Sequence, residues 1–170
     1  LARLGQGKAA PEDEPAESDF VFYIGCNVLK TPHIALLCLD VLDALGMQYR
    51  VMGGPATCCG VLQVAPGDVE GTGKLAFNTI RSLSAGGTTE LLNWCPGCEK
   101  LFDDVVLPTY REATGEDTFG MSMFITYLAG RLDDLRPLLV HSVDKRVGLH
   151  EHAGANNVSE AAKQLLQAIP

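Results

Sequence analysis

The sequence predicts an α/β protein with a mainly parallel sheet and flanking helices, and three observations carry that expectation. Short apolar runs rich in β-formers, at residues 20–25, 48–52 and 89–94, alternate with amphipathic stretches at helical spacing. Glycine and proline punctuate the boundaries between them. Strands that alternate with helices form right-handed βαβ units, which build parallel sheets.

The elements follow in order. Residues 20–25 form the first strand and end in Gly25-Cys26. Thr31-Pro32 starts a helix, with Thr as N-cap and Pro at the first helical position, and Gly46 closes it. Its apolar positions Ile34, Leu37, Cys38, Val41, Leu42 and Leu45 recur at three and four, which predicts one buried stripe. Residues 48–52 form the second strand, broken by Gly53, Gly54 and Pro55. A second helix starts at Val69 or Lys74 and runs to Leu83. Gly86-Gly87 turns into the third strand, residues 89–94, and a third helix begins near Cys98 and runs towards Pro108. Residues 121–132 read as a fourth helix, 146–150 as a fourth strand, and 159–169 as a last amphipathic helix. Residues 1–19 lack periodicity and carry Pro11, Pro15 and an acidic cluster, as a flexible acidic linker or tail does. The chain opens on Leu1 rather than Met, as a processed chain or a piece of a longer protein does.

Composition excludes several functions. A net charge of −8, from 13 Lys and Arg against 21 Asp and Glu, argues against a nucleic-acid surface, which needs clustered cations. The longest apolar runs fall far short of the ~20 residues of a membrane span, and no apolar run follows the first basic residues as in a signal peptide. Six cysteines in 170 residues are too few for a disulfide scaffold. In a cytoplasmic α/β protein, where thiols stay reduced, clustered cysteines point to metal or redox chemistry.

Five cysteines follow predicted strands: Cys26, the pair Cys58-Cys59 and the pair Cys95/Cys98. Carboxyl ends of parallel strands share one edge of a sheet, where ligands bind, so these five are expected to meet. Thirty-one residues separate Cys26 from Cys58, and 35 separate Cys59 from Cys95. A disulfide between neighbours 58 and 59 is strained, because adjacent Cα atoms lie about 3.8 Å apart and disulfides prefer about 4.4–6.8 Å. Structural zinc needs only four ligands, and adjacent cysteines seldom reach one small tetrahedral ion together. Several irons suit five thiolates better, although an ordinary [4Fe–4S] cubane takes four. Gly60 and Gly97 allow tight turns beside the sulfurs. Zinc, a cubane with one spare cysteine, and a thioredoxin-like dithiol at Trp94-Cys95-Pro96-Gly97-Cys98 remain open on the residues alone. Cys38, mid-helix on the apolar stripe, reads as a core residue.

The segments FYIGC (22–26), ATCCG (56–60) and NWCPGC (93–98) resemble the cysteine-rich CCG domain of heterodisulfide reductase B subunits. Related domains occur in iron–sulfur subunits of anaerobic glycerol-3-phosphate dehydrogenase, glycolate oxidase and lactate-utilisation systems. The resemblance covers roughly residues 20–153. It implies a Rossmann-like half and a non-cubane [4Fe–4S] cluster held by Cys26, Cys58, Cys59, Cys95 and Cys98. It also implies electron transfer to a disulfide-type substrate, with iron–sulfur and flavin-containing subunits as partners. On this basis residues 20–145 are the iron–sulfur domain and 146–170 the start of a second half. That half opens, in the family, with a strand and His-Asp-Pro-Cys. Here His150-Glu151-His152-Ala153 stands instead, with Ala153 at the cysteine position. The second half is therefore degenerate or incomplete, and His150 is left as a candidate near a substrate pocket. His150 and His152 would point to opposite faces of a strand and make a poor metal pair. Gly71, Gly73 and Lys74 lack the spacing of a phosphate loop.

Overall fold

The computed structural model describes residues 18–64, 66–85, 87, 89–151 and 156–170; most of the expected acidic tail, together with His152 and Ala153, lies outside them. Four parallel strands form one sheet in the order β2-β1-β3-β4: β1 Phe20–Tyr23, β2 Tyr49–Met52, β3 Glu90–Asn93 and β4 Gly120–Met123. Phe22 registers with Val51 on one side and Leu92 on the other, and Asn93 with Met123.

β1 is buried along its whole length, as an uninterrupted apolar run in a parallel sheet should be. Alternation sends its side chains to two cores. Val21 and Tyr23 join Leu91, the helices α3 (Val69–Ser84) and α4 (Pro96–Leu101) through Ala76, Ile80 and Leu101, and Phe102 just beyond α4. Phe20, Phe22 and Ile24 join Leu92 and the helices α1 (Pro32–Ala44) and α6 (Phe124–Ala129) on the other face. Helices thus cover both faces of the sheet, the α/β arrangement read from the sequence.

Local signals hold at several ends. Asp68 caps α3 by accepting from the Gly71 N–H at 2.9 Å. Beyond α1, the Gly46 N–H reaches the Asp43 carbonyl and the Met47 N–H the Leu42 carbonyl, a Schellman closure. Thr31 occupies the N-cap of α1 without a side-chain cap; its hydroxyl donates to the Asn27 carbonyl instead. α2 (Val61–Val64) is a single turn. α4 leads into wide π-type turns over Phe102–Val106 and then α5 (Leu107–Thr114), so the helical path passes Pro108. Proline lacks the N–H a regular helix uses, and the wide turns just before it accommodate that loss.

Three expectations are corrected. Residues 121–132 are not one helix: β4 occupies Gly120–Met123, and α6 and α7 (Leu132–Leu135) follow. Met121 and Met123 are buried at period two, and pairing with β3 overrides methionine's helical propensity. Residues 146–150 form no strand; they are irregular and exposed, with Val147 at 64%. The stripe on α1 is also displaced. Ala35, Cys38, Leu39 and Leu42 are buried, whereas Ile34 and Leu37 are exposed, Leu37 at 60%. Ala35 and Leu39 complete a valid 3–4 spacing, so the apolar pattern of this helix suits two neighbouring faces. The final helix, α8 (Asn156–Ala168), packs on α6, with Ala161 buried.

Candidate metal centre

The strand order reverses between β1 and β3. Successive connections leave β1 in opposite directions, which opens a crevice at the carboxyl ends of these two strands. Cys26 follows β1 in a single 3-10 turn, Cys26–Leu29, and Cys95 follows β3 as the N-cap of α4. Cys98 sits in the first turn of α4, so this helix begins before Cys98 rather than at it. Cys58 and Cys59 lie between the 3-10 turn Pro55–Thr57, beyond β2, and α2. Cys58, Cys59 and Cys98 are buried, while Cys26 and Cys95 are half-buried.

The five thiols are neighbours in a row. Cys26 hydrogen-bonds with Cys58, Cys58 with Cys59, and Cys98 with Cys95. The sulfurs of Cys59 and Cys98 lie 3.3 Å apart. Backbone donors face them: Gly60 N–H lies 3.5 Å from Cys58 Sγ, Val61 N–H serves Cys59, and those of Cys98 and Gly97 serve Cys95. Gly60 adopts a left-handed φ of +93°, and a Cβ there would stand 3.1 Å from Thr72 Cγ2, so glycine is required at the turn after the pair.

Electrostatics divide the row. Hydrogen bonding with Cys98 holds the Cys95 thiol down, to about 6, and likewise lowers Cys59. Cys98, set between Cys59 and Cys95, is pushed up by its interactions with both. Burial raises Cys58. Burial also raises the Tyr23 hydroxyl, and the surrounding Cys98, Cys59, Cys58 and Cys26 add to the effect.

Sequence reasoning missed three residues that shape the site. Asn93, fully buried, accepts from the Cys95 N–H at 2.9 Å through Oδ1, an Asx-turn that aims the cysteine. An Asn two residues before a cysteine was a readable signal. Tyr23 donates to the Thr57 carbonyl at 2.6 Å and Thr79 to the Cys58 carbonyl at 2.9 Å; neither carries a sequence motif. Cys38 lies in the other core, on the opposite face of the sheet, and burial pushes its thiol up to about 12. His150 is exposed on irregular chain.

Among the described residues, no group of three His, Cys, Asp or Glu side chains is gathered as a site for one metal ion. The sulfurs instead interact pairwise, Cys26 with Cys58, Cys58 with Cys59, Cys59 with Cys98 and Cys98 with Cys95, a set that several metal atoms share more readily than one. The all-thiol donor set suits iron–sulfur chemistry. Glycine keeps space beside the sulfurs: a Cβ on Gly25 would lie 3.4 Å from Cys98 Sγ, and one on Gly97 3.9 Å from Cys95 Sγ.

A parallel α/β domain with cysteines at its switch point is the class that fold and site define. Residues 20–103 match the family model of the cysteine-rich domain CCG. It is 26% identical, over 165 residues, to the D subunit of dihydromethanophenazine:CoB–CoM heterodisulfide reductase from Methanosarcina acetivorans. It is 25% identical, over 161 residues, to the protein of the same name in Methanosarcina mazei. Each alignment covers 91% of this chain but 39% of the relative, so the chain spans about two fifths of their length. These relatives are D subunits, whereas the sequence motifs suggested the B subunit. No solved structure matches the chain. Among the described residues, no helix is long and apolar enough to cross a membrane.

Proposed function

We propose that Cys26, Cys58, Cys59, Cys95 and Cys98 hold a non-cubane [4Fe–4S] cluster, and that the chain is an iron–sulfur redox subunit of a heterodisulfide reductase-like complex. The observation that best supports this reading is the row of five thiols, in which each member of the adjacent pair has a different partner. Cys58 faces Cys26, and Cys59 faces Cys98. Neighbouring thiolates directed apart can serve different metal atoms, which a single-ion site has no use for. The likeness to D subunits supports the heterodisulfide reductase-like part of this reading.

When bound, the cluster supplies reversible electron transfer. The chain does the rest. It buries Cys58, Cys59 and Cys98 and leaves Cys26 and Cys95 half-exposed, so a disulfide-type substrate or an electron-donating partner approaches along the β1–β3 edge. Reduction of a disulfide to two thiols takes two electrons and two protons, and iron–sulfur and flavin-containing partner subunits supply the electrons. Residues 20–145 form the iron–sulfur domain in this reading. Residues 146–170 begin a second half whose helix α8 folds back on α6.

A thioredoxin-like dithiol is the second reading, favoured by a half-buried Cys95 at the helix start and a buried Cys98 three residues on. Anaerobic purification with iron and sulfide analysis separates the two. The cluster reading expects about four irons per chain and a paramagnetic signal after oxidation with a thiol or disulfide. A colourless, iron-free protein, or one with a single zinc, overturns it.

A further inference from the structure

We infer that Tyr23 is a positioning residue that latches the Cys58-Cys59 pair against the rest of the cysteine row. Its hydroxyl donates to the Thr57 carbonyl at 2.6 Å, and Thr79 Oγ1 donates to the Cys58 carbonyl at 2.9 Å. These two bonds pin the consecutive peptide groups on either side of Cys58. With both carbonyls tied back to β1 and α3, the sulfurs of residues 58 and 59 keep their direction.

The slot for the Tyr23 ring is built by all three cysteine-bearing segments. The ring is 1% exposed. A Cβ at Gly25, next to Cys26, would stand 3.5 Å from its Cε1. On another side Gly53 leaves room where a Cβ would lie 3.0 Å from Cδ2. Phe102, four residues beyond Cys98, meets it edge-on, with centroids 5.9 Å apart and planes at 87°. A displacement of Tyr23 is therefore felt by Cys26, by the adjacent pair and by α4 together. A hydroxyl this deep among apolar and sulfur groups must also find an acceptor, and Thr57 is the one it has.

Tyr23→Phe tests the latch, because it keeps the ring and removes only the hydrogen bond. In the metal-free, reduced chain, alkylation at each cysteine is followed by mass spectrometry. Losing one buried hydrogen bond is expected to speed labelling of Cys58 and Cys59 roughly tenfold. Cys38, in the opposite core, is the internal control and should not change. Thr79→Val should move the same two cysteines. Unchanged rates at Cys58 and Cys59, or equal acceleration at Cys38, overturn the proposal. The role towards metal, which rests on the cluster reading, is tested in iron-loaded protein. Iron release to a chelator should be faster in Tyr23→Phe, and equal release rates overturn that role. A wild-type chain that binds no iron refutes the cluster reading, while the labelling arm still decides the latch.

Discussion

Gly53→Ala is the perturbation whose outcome the structure specifies most closely. Gly53 has a φ of +115°, in a region open essentially to glycine alone. An added Cβ would lie 3.0 Å from Tyr23 Cδ2, 3.1 Å from the Gly25 nitrogen and 3.1 Å from the Ile24 nitrogen. Two of those atoms are backbone, and the Ile24 N–H is itself bonded to the Met52 carbonyl at 3.0 Å, so the neighbours have little freedom to yield. Backbone strain costs about 1–3 kcal/mol and overpacking about as much again, so the expected loss is of the order of 2–6 kcal/mol. Gly46→Ala is the matched control: φ is +69°, and a Cβ there meets nothing within 4 Å, so only the backbone cost remains. Urea unfolding of the metal-free variants, followed by circular dichroism, reads both, and Gly53→Ala should lower the midpoint by more than about 1 M. The damage should also reach the site, because the displaced atoms precede Cys26 and pack on Tyr23. If Gly53→Ala costs no more than Gly46→Ala, the close approach of the β2 and β1 ends does not constrain the fold as argued.

Single Ser replacements at Cys26, Cys58, Cys59, Cys95 and Cys98 should each lower iron content or abolish the oxidised paramagnetic signal. Full iron and an unchanged spectrum in Cys58→Ser or Cys59→Ser would favour a cubane with one spare cysteine. Cys38→Ala should keep its iron and lose roughly 1 kcal/mol of stability, seen by denaturant titration; loss of iron would show a misassigned ligand. Cys38 also gives the folded state a pH dependence. Its thiol is held protonated up to about 12 in the fold, against 9.0 when free. The unfolded chain therefore ionises first, and this contribution to stability is complete below pH 9 and is lost as pH rises towards 12. The slope is about 1.4 kcal/mol per pH unit, and it should vanish from the difference curve with Cys38→Ala. Asn93→Ala should free the Cys95 N–H and speed Cys95 alkylation in the metal-free chain, with Cys38 unchanged; equal rates at Cys95 would refute the Asx-turn as its anchor.

The sequence made the site more legible than parts of the fold, for physical reasons. Cysteines are rare, and a reduced thiol beside a strand end has few structural excuses, so the five stood out from Cys38. Parallel strands buried on both faces read as short apolar runs, and β1, β2 and β3 fall where those runs lie. β4 was hidden because methionine and serine carry no β signal, and what makes Gly120–Met123 a strand is the open edge of β3. Conversely, Val147 and Leu149 alternate like a strand, but they lie exposed on irregular chain. On α1 the ambiguity was one of phase, since Ala35 looks neutral in sequence yet sets the face that packs. The supports of the cysteines, Tyr23 and Thr79, act through hydrogen bonds spanning 34 and 21 residues, and no local pattern records such a pairing.

The reversed strand order has a consequence for how the cysteines come into being along the chain. During synthesis the unit of β1, α1 and β2 is complete well before β3, so Cys26, Cys58 and Cys59 leave the ribosome as a trio. Cys95 and Cys98 arrive later, and on the other side of β1. A chain stopped after residue 94 holds three of the five site thiols with no α4 to cover them, and Cys59 lacks the sulfur that stands 3.3 Å from it in the finished fold. Any metal or oxidant present at that stage meets a partial set of donors. Addition of β3 beside β1 and completion of the donor set are then a single event, with β4 still to come.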